Sequence, residues 1–207
     1  FGILNRDIHP SLALCLGPCD ISVAEMVGAY TAFARKGVRR YPLYVTRIED
    51  SNGDVVAEFS PRVREVISED AACKMVTLMR GVIDSGTGHR MRARYHLTVP
   101  MAGKTGTTND NSDGWFVGYT PSLSFGGWVG GEERDIHFAS MAIGQGANAA
   151  LPISAYFLMK VFADKSLGYS QEEDFDIPEG FDPCGQTDES ETEEEIAVEP
   201  VLDNLAN

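Results

Sequence analysis

Residues 101–121 read MAGKTGTTNDNSDGWFVGYTP, a stretch in which small polar residues precede a run of aromatic and β-branched ones. A strand-like run from Leu97 to Thr107 ends here in small polar residues. Two more runs, rich in Trp, Phe and Val, follow at 114–119 and 123–131, with only a short Pro-containing turn between them. Short runs of this composition, bounded by turn residues, predict strands that pair in an antiparallel hairpin. We therefore expect an antiparallel sheet at the centre of the chain.

Helices are predicted before and after this sheet. Ser22 and Glu25 form a capping-box pattern, which predicts a helix that ends at Gly37. A second helix is predicted to begin near Ser68, and a third to span 149–162. The faces expected to be buried are Val23, Met26, Val27, Tyr30 and Phe33 in the first helix, Ala72, Met75, Val76, Met79 and Val82 in the second, and Ile153, Tyr156, Phe157, Met159, Lys160 and Val161 in the third.

A β-hairpin is predicted between the first two helices. Residues 44–49 and 55–59 alternate in polarity on either side of Asn52 and Gly53, the pair typical of a tight hairpin turn. Residues 136–143 are compatible with a strand or a helix. Taken together, these elements predict an α+β class, in which an antiparallel β-sheet is flanked by helices.

Charge divides the chain into two parts. The formal net charge is −14, and 14 of the 31 acidic residues lie from 171 onward, where no Lys or Arg occurs. The other 17 acidic residues are matched by all 17 Lys and Arg, so no basic face for nucleic acid is expected. An acidic segment poor in aromatic residues does not bury enough apolar surface to offset the entropy of ordering it. We expect residues 1–168 to be folded and residues 169–207 to form a disordered acidic tail.

Metal and cofactor sites are not indicated by the cysteines and histidines. Cys15, Cys19, Cys73 and Cys184 match no zinc or redox spacing, and the four histidines are scattered. We predict no metal and no cofactor, and expect the cysteines to be small buried residues. A Cys15–Cys19 disulfide is left open. No apolar run approaches the roughly 18 residues of a membrane span.

The chemistry of the central stretch lies in Lys104, Thr105, Gly106 and Thr107. In a pleated strand, alternate residues point to opposite faces, so both threonine hydroxyls share one face and Lys104 points to the other. Gly106 has no side chain, so a substrate backbone could approach closely. An ammonium and two hydroxyls at a strand end suit recognition of a carboxylate or a developing oxyanion. Alone, the Lys-Thr-Gly triplet is equally compatible with an ordinary strand end.

The context of this triplet resembles one protein family. Residues 101–121 resemble the third conserved motif, and the strand after it, of class A (bifunctional) penicillin-binding proteins. The resemblance covers about residues 1–168 and implies the C-terminal part of a transpeptidase domain with a partial penicillin-binding/β-lactamase-like fold. Its other supporting segments are 10–17, 25–37, 81–82, 86–88, 128–130, 144–147 and 151–152.

That resemblance implies a serine acyl-transfer reaction. The serine of an S-x-x-K motif attacks a D-Ala carbonyl of a peptidoglycan stem peptide, and an amine from a neighbouring stem takes the acyl group. Lys104 and Thr107 are the implied catalytic residues, Lys104 supporting proton transfer and the Thr107 N–H stabilising the oxyanion. The implied substrate-binding residues are Thr105, Gly106, Thr107 and Thr108, with the hydroxyls of Thr105 and Thr107 holding the terminal carboxylate.

The resemblance also implies a cellular setting. The partners are peptidoglycan stem peptides and, for the intact parent protein, β-lactam antibiotics. The parent is expected to be anchored on the outer face of the bacterial cytoplasmic membrane and joined to a glycosyltransferase domain.

One departure from the family pattern limits these expectations. No serine of the chain has lysine three residues later, and none has asparagine two residues later. We therefore expect a fragment truncated upstream of Phe1 that is inactive by itself. A serine β-lactamase fragment and a non-catalytic interaction module remain alternatives, although residues 107–110 and the acidic tail favour the transpeptidase.

Other candidates receive structural interpretations. Asp110 and Asp113 are expected to form turns rather than to act as acids or bases. Trp115 fits either the wall of a substrate groove or the core. The segment 85–88 follows a helix rather than opening one, so it is expected to be a flexible connector, not a phosphate-binding loop.

Overall fold

A computed structural model describes residues 1–4, 8–17 and 19–185. The strands are β1 (Val38–Arg40), β2 (Arg47–Glu49), β3 (Val55–Glu58), β4 (Val63–Glu65), β5 (Ala102–Thr107), β6 (Asp113–Tyr119) and β7 (Ser124–Gly130). The α-helices are α1 (Val23–Ala34), α2 (Glu69–Asp84), α3 (Arg90–Ala93), α4 (Met141–Gly144), α5 (Gly146–Ala149) and α6 (Leu151–Ala163). Short 3₁₀ turns lie at Leu12–Leu16, Asn109–Asn111 and Lys165–Leu167. The predicted α+β class is confirmed.

Helices α1 and α2 begin after the N-cap serines that the sequence predicted. The Ser22 hydroxyl accepts from the Glu25 N–H at 3.2 Å, and the Glu25 carboxylate accepts in return from the Ser22 N–H at 3.2 Å. The Ser68 hydroxyl likewise accepts from the Ala71 N–H at 3.2 Å and caps α2. Each cap satisfies backbone donors that the first turn of a helix leaves unpaired.

The buried faces of the helices differ in part from those predicted. In α2, Met75 and Val82 are only half-buried, and Cys73 and Ile83 are buried in their place. In α1 the predicted large residues are half-buried. Its fully buried residues are small: Gly28, Ala29 and Ala32.

For α6 the predicted face is wrong. Of the predicted residues, Val161 is buried and the other five are exposed, whereas Leu151, Ser154, Ala155 and Leu158 are buried in their place. The helix carries two apolar stripes, because Leu151, Ala155 and Leu158 also follow the helical period. The stripe with the small Ala155 faces the core, whereas the bulkier stripe is exposed: Ile153, Tyr156, Phe157 and Met159.

The central sheet is antiparallel in the order β5-β6-β7, as predicted. Its first strand is shorter than expected, since β5 begins at Ala102 rather than near Leu97. The Arg92 guanidinium donates to the carbonyl oxygens of Leu97 and Val99 at 2.7 Å each, so both acceptors are paired with a side chain before β5 begins. Pro100 has no N–H to donate.

The two faces of this sheet contact different helices. Directly opposite residues of antiparallel strands share a face, and Thr105 lies opposite Phe116 while Lys104 lies opposite Val117. The first pair lies on what we call the α6 face, where Phe116 packs with Leu151 and Leu158 of α6. The second lies on the α1–α2 face, whose apolar cluster is formed by Val76, Met79, Ala102 and Tyr119, with Tyr30 and Phe33 packed against it.

Two small antiparallel pairs lie outside the central sheet. Strands β2 and β3 form the hairpin predicted around Asn52 and Gly53. Strands β1 and β4 also pair. Neither was predicted, because a strand of three residues is too short to show a clear alternation of polarity. The ambiguous stretch 136–143 forms no strand and ends in the short helix α4.

The cysteines are all free thiols, and only Cys73 is buried. Burial raises the pKa of this thiol. Cys15 and Cys184 are exposed, so the expectation that they are buried residues is wrong for these two.

The beginning of the acidic tail contacts the α1–α2 face. Residues 174–177 are called the acidic strap here. Phe175 and Ile177 of this segment pack against the cluster of the α1–α2 face. Two ion pairs accompany this packing: Lys36 with Asp176 at 2.6 Å and Arg80 with Asp174 at 3.1 Å. Residues 169–185 form no helix or strand after the turn at 165–167, and residues 186–207 lie outside the described part.

Candidate active site

The predicted site residues lie along β5 and on both sides of the sheet. The register places Thr105 and Thr107 on the α6 face and Lys104 with Gly106 on the α1–α2 face. This is the alternation that the pleat predicted. Strand β5 is the outer strand of the three, so these groups lie at a sheet edge where a peptide-like ligand can approach.

Thr107 is an exposed residue whose hydroxyl has one described protein donor. Its oxygen accepts from the N–H of Gly146, the first residue of α5, at 3.0 Å. Because the oxygen is used as an acceptor, the hydroxyl proton remains to be donated. Gly146 itself must lack a side chain, since a Cβ there would collide with the carbonyl oxygens of Gly106 and Trp115.

The Thr105 hydroxyl is held from another direction. Thr105 is only 9% exposed, and its hydroxyl lies 2.6 Å from that of Thr87 in the loop between α2 and α3. Either oxygen is able to donate in this pair. The two threonines of β5 therefore have separate supports, one from α5 and one from the α2–α3 loop.

Lys104 supplies a positive charge on the opposite face. Its side chain is exposed, and its ammonium donates to the carbonyl oxygen of Thr105 at 2.7 Å. A second cation, Arg90, donates to the carbonyl oxygen of Ala147 at 3.3 Å, one residue beyond the Gly146 that supports Thr107. Both cations contribute positive potential to an edge suited to an anion.

Thr108 has a different environment from the other predicted site residues. Its hydroxyl accepts from the Asp113 N–H at 2.8 Å and lies 3.2 Å from the Asp113 carboxylate. The other carboxylate oxygen of Asp113 accepts from the Trp128 indole N–H at 2.7 Å. This geometry favours a role for Thr108 in closing the connection between β5 and β6, and its contact with substrate stays a prediction.

The turn-forming interpretation of the two aspartates agrees with their positions. Asp110 lies in the 3₁₀ turn between β5 and β6 with a φ of 56°, a left-handed value that Asp tolerates better than most residues. Asp113 begins β6. Trp115 is half-buried beside Trp128, with ring centroids 6.5 Å apart on the same face as Lys104.

Two contributors to this edge were missed by sequence reasoning. Thr87 lies in the segment expected to be a flexible connector, yet its hydroxyl reaches β5. Gly146 belongs to a segment noted only for its resemblance to the family. Both lie far from β5 in sequence, so nothing local signalled the contact.

Neither a metal-binding cluster nor a membrane-spanning helix is found in the part of the chain that the structure describes. Within residues 1–4, 8–17 and 19–185, no group of three His, Cys, Asp or Glu side chains is placed to hold a metal ion. Over the same ranges, none of the helices has the length and apolarity that crossing a membrane requires.

Comparison with protein families gives a specific match. Residues 8–131 match the model for the penicillin binding protein transpeptidase domain. The chain is 33% identical over 172 residues to penicillin-binding protein 1A of Aquifex aeolicus, which covers 83% of this chain and 22% of that protein. It is 34% identical over 127 residues to penicillin-binding protein 1A of Clostridium novyi, and this alignment covers 60% of this chain and 15% of that protein. The chain thus spans about a fifth of the length of these curated relatives.

Solved structures share the fold. Penicillin-binding protein 1A from Haemophilus influenzae aligns with a TM-score of 0.66 at 21% identity, over 75% of this chain and 28% of that one. The PonA1 protein from Mycobacterium tuberculosis, solved in complex with penicillin V, aligns with a TM-score of 0.59 at 28% identity. That alignment covers 73% of this chain and 40% of PonA1.

Proposed function

The chain belongs to the penicillin-binding protein transpeptidase family, and from this premise we propose that it is the C-terminal part of a class A DD-transpeptidase domain. In this proposal the complete protein cross-links peptidoglycan stem peptides through a serine acyl-enzyme. The strand β5 supplies one wall of its active site. The complete protein acts on the outer face of the cytoplasmic membrane, to which it is anchored.

The observation that carries the proposal is the geometry of Thr107. Thr107 is exposed at the sheet edge, and its hydroxyl already accepts from the Gly146 N–H at 3.0 Å, so its proton is left for an acceptor outside the protein. A carboxylate has only acceptor oxygens and is therefore the matching partner. The C-terminal carboxylate of a stem peptide and the carboxylate of a β-lactam both supply one.

The remaining residues of β5 have complementary roles in this mechanism. Thr105 donates a second hydroxyl hydrogen bond to the same carboxylate from the same face of the strand. The backbone N–H of Thr107 donates to the oxyanion that forms when the serine attacks, and loss of one such donor costs about 3–4 kcal/mol in the transition state. Gly106 allows the peptide backbone of the substrate to lie along the strand.

Lys104 acts from the opposite face. Its ammonium holds positive potential beside the site and supports transfer of the proton that leaves the attacking serine. Its exposed position leaves it free to exchange its contact with the Thr105 carbonyl for a contact with a serine hydroxyl.

The nucleophile of this reaction lies outside the 207 residues in our proposal. The chain has no serine followed by lysine at the third position, so the S-x-x-K serine comes from another part of the complete protein. The binding of penicillin V by PonA1, a relative at 28% identity, supports a β-lactam as an active-site probe. A serine β-lactamase is disfavoured, because the matching family model is that of transpeptidases.

Mapping of the acyl-enzyme tests this proposal. The complete protein is incubated with a fluorescent penicillin, digested, and the labelled peptide is identified by mass spectrometry. We expect one ester, on a serine followed three residues later by lysine and lying outside residues 1–207. An ester on a serine of this chain, or no ester on the complete protein, contradicts the proposal. Competition by excess unlabelled benzylpenicillin controls for nonspecific labelling.

A further inference from the structure

The loop between α2 and α3 is fixed against the body of the protein. Two glycines flank Thr87, and each packs against the last turns of α2: a Cβ on Gly86 would lie 2.8 Å from Val82, and one on Gly88 would lie 2.8 Å from the Ile83 side chain. The Gly88 N–H also donates to the Val82 carbonyl oxygen at 2.9 Å. These contacts fix the backbone on both sides of Thr87.

The segment after the loop is fastened as well. Arg90 donates to the Ala147 carbonyl oxygen at 3.3 Å, which joins the start of α3 to α5. Arg92 forms an ion pair with Asp84 at 3.1 Å and so joins α3 to the end of α2. Because none of these contacts uses the Thr87 side chain, the position of the loop does not depend on the Thr87 hydroxyl.

That hydroxyl makes a single described contact, with the Thr105 hydroxyl at 2.6 Å. We propose that Thr87 is a positioning residue, which donates to the Thr105 oxygen and thereby directs the Thr105 proton toward the substrate carboxylate. The inference deepens the proposed function and rests on it, since it assigns no chemistry to Thr87 itself.

The direction of the hydrogen bonds follows from the ligand. A carboxylate only accepts, so it draws the proton of Thr105, and the oxygen of Thr105 is then free to accept from Thr87. Hydrogen bonds in such a chain polarise one another, which strengthens the final bond to the charged group. Thr87 is exposed, so its own oxygen finds further donors in water.

Thr105 and Thr107 then receive equivalent support from different elements. The Gly146 N–H donates to Thr107 at 3.0 Å, and the Thr87 hydroxyl donates to Thr105 at 2.6 Å. Each β5 hydroxyl is left with one proton, and both protons are available on the same face of the strand. The pair forms a two-donor clamp for one carboxylate, aimed by α5 and by the α2–α3 loop.

The test compares two probes in the complete protein: benzylpenicillin, which carries the carboxylate, and its methyl ester, which does not. The second-order rate constant of acylation is measured for the unsubstituted protein and for Thr87→Val, Thr87→Ser and Thr77→Val. Thr77 is a matched control, since its hydroxyl donates within α2 to the Cys73 carbonyl oxygen at 3.0 Å.

We expect Thr87→Val to lower the rate for benzylpenicillin about 10-fold while changing the rate for the ester less than about 2-fold. Thr87→Ser keeps the hydroxyl and is expected to restore the rate for benzylpenicillin. Thr77→Val is expected to leave both rates unchanged.

Four results would overturn the inference. An unchanged rate for benzylpenicillin in Thr87→Val would remove Thr87 from the clamp. Equal losses for both probes would show a structural role instead, as would failure of Thr87→Ser to restore the rate. If the unsubstituted protein reacts with neither probe, the proposed function fails, and the inference fails with it.

Discussion

The two faces of the central sheet are closed in different ways. On the α6 face, Phe116 is fully buried against Leu151 and Leu158, residues of a helix that follows the sheet closely in sequence. On the α1–α2 face, Tyr119 is also fully buried, but the strap residue Phe175, 56 positions later, packs against it. One face thus relies on dense apolar packing, whereas the other is completed by an acidic segment that combines an aromatic ring with ion pairs.

This difference predicts unequal sensitivity to mutation. Packing of large, fully buried side chains contributes more to stability than exposed ion pairs do. The α6 face should therefore respond most to truncation, the aromatic contact of the strap less, and its ion pairs least. The site on β5 lies at the edge where the two faces meet, so both contribute to holding it.

The largest effect is expected for Phe116→Ala. The ring is 0% exposed, and its loss should lower the free energy of unfolding by about 3–5 kcal/mol through lost burial and a cavity. Denaturant unfolding followed by circular dichroism measures the change. Phe59→Ala is the control, because Phe59 is 45% exposed and its truncation should cost less than about 1 kcal/mol. Equal effects of the two substitutions would contradict the comparison.

An intermediate effect is expected for Phe175→Ala. Its ring meets Tyr119 edge-on at 5.7 Å, and Arg80 lies 5.7 Å from its centroid. Loss of these contacts and of the buried area should cost about 1–2 kcal/mol.

The same substitution should change the ionisation of Tyr119. Burial raises the pKa of the Tyr119 hydroxyl, with a further contribution from Tyr30. Removal of the Phe175 ring admits water, so the pKa should fall toward the ordinary tyrosine value, as ultraviolet titration of the phenolate detects. An unchanged pKa together with unchanged stability would mean that the strap does not cover this face.

The smallest effect is expected for Lys36→Met. Two hydrogen bonds hold the pKa of Lys36 above its usual range. The larger effect comes from the bond of its ammonium to Asp176, and the smaller from the bond to Glu69. Because the pKa of Lys36 is raised in the folded state, the stabilisation that its ion pairs contribute is complete below about pH 10. This stabilisation is lost as pH rises through the folded-state pKa. The stability difference from the unsubstituted chain should also vanish near 1 M salt, where the Debye length is about 3 Å.

The control for this variant is Lys74→Met. Lys74 pairs with Asp70 one helical turn away, at 2.9 Å, and neither partner of this ion pair belongs to the strap. Removing it should not release the strap, whereas Lys36→Met should increase proteolysis near residue 176. Equal protection in the two variants would contradict an ionic contribution to docking.

Local chemistry explains which parts of the fold the sequence could predict. Ser22, Ser68 and the Asn52-Gly53 pair act on backbone groups within four residues, so their helices and hairpin begin and turn where expected. The alternation of Lys104 and Thr105 follows from the strand pleat alone.

Long-range packing explains the rest. The orientation of α6 depends on which of its two apolar stripes packs on the sheet. The stripe with the larger apolar residues was predicted to be buried, but the stripe with Ala155 is the buried one. Docking of Phe175 depends on an apolar surface built by α1, α2, β5 and β6, whereas composition alone predicted a disordered tail there. In the site, the contacts of Thr87 and Gly146 with β5 span 18 and 39 residues, so no local pattern reveals them.

The most direct test of the central claim, that β5 is a catalytic wall, is the acylation rate of the complete protein carrying Lys104→Ala, measured beside its free energy of unfolding. Lys104 is exposed, so the unfolding free energy should change by less than about 0.5 kcal/mol. The rate of acylation by benzylpenicillin should fall by about 100-fold or more, because proton transfer loses its support. An acylation rate equal to that of the unsubstituted protein would contradict the claim.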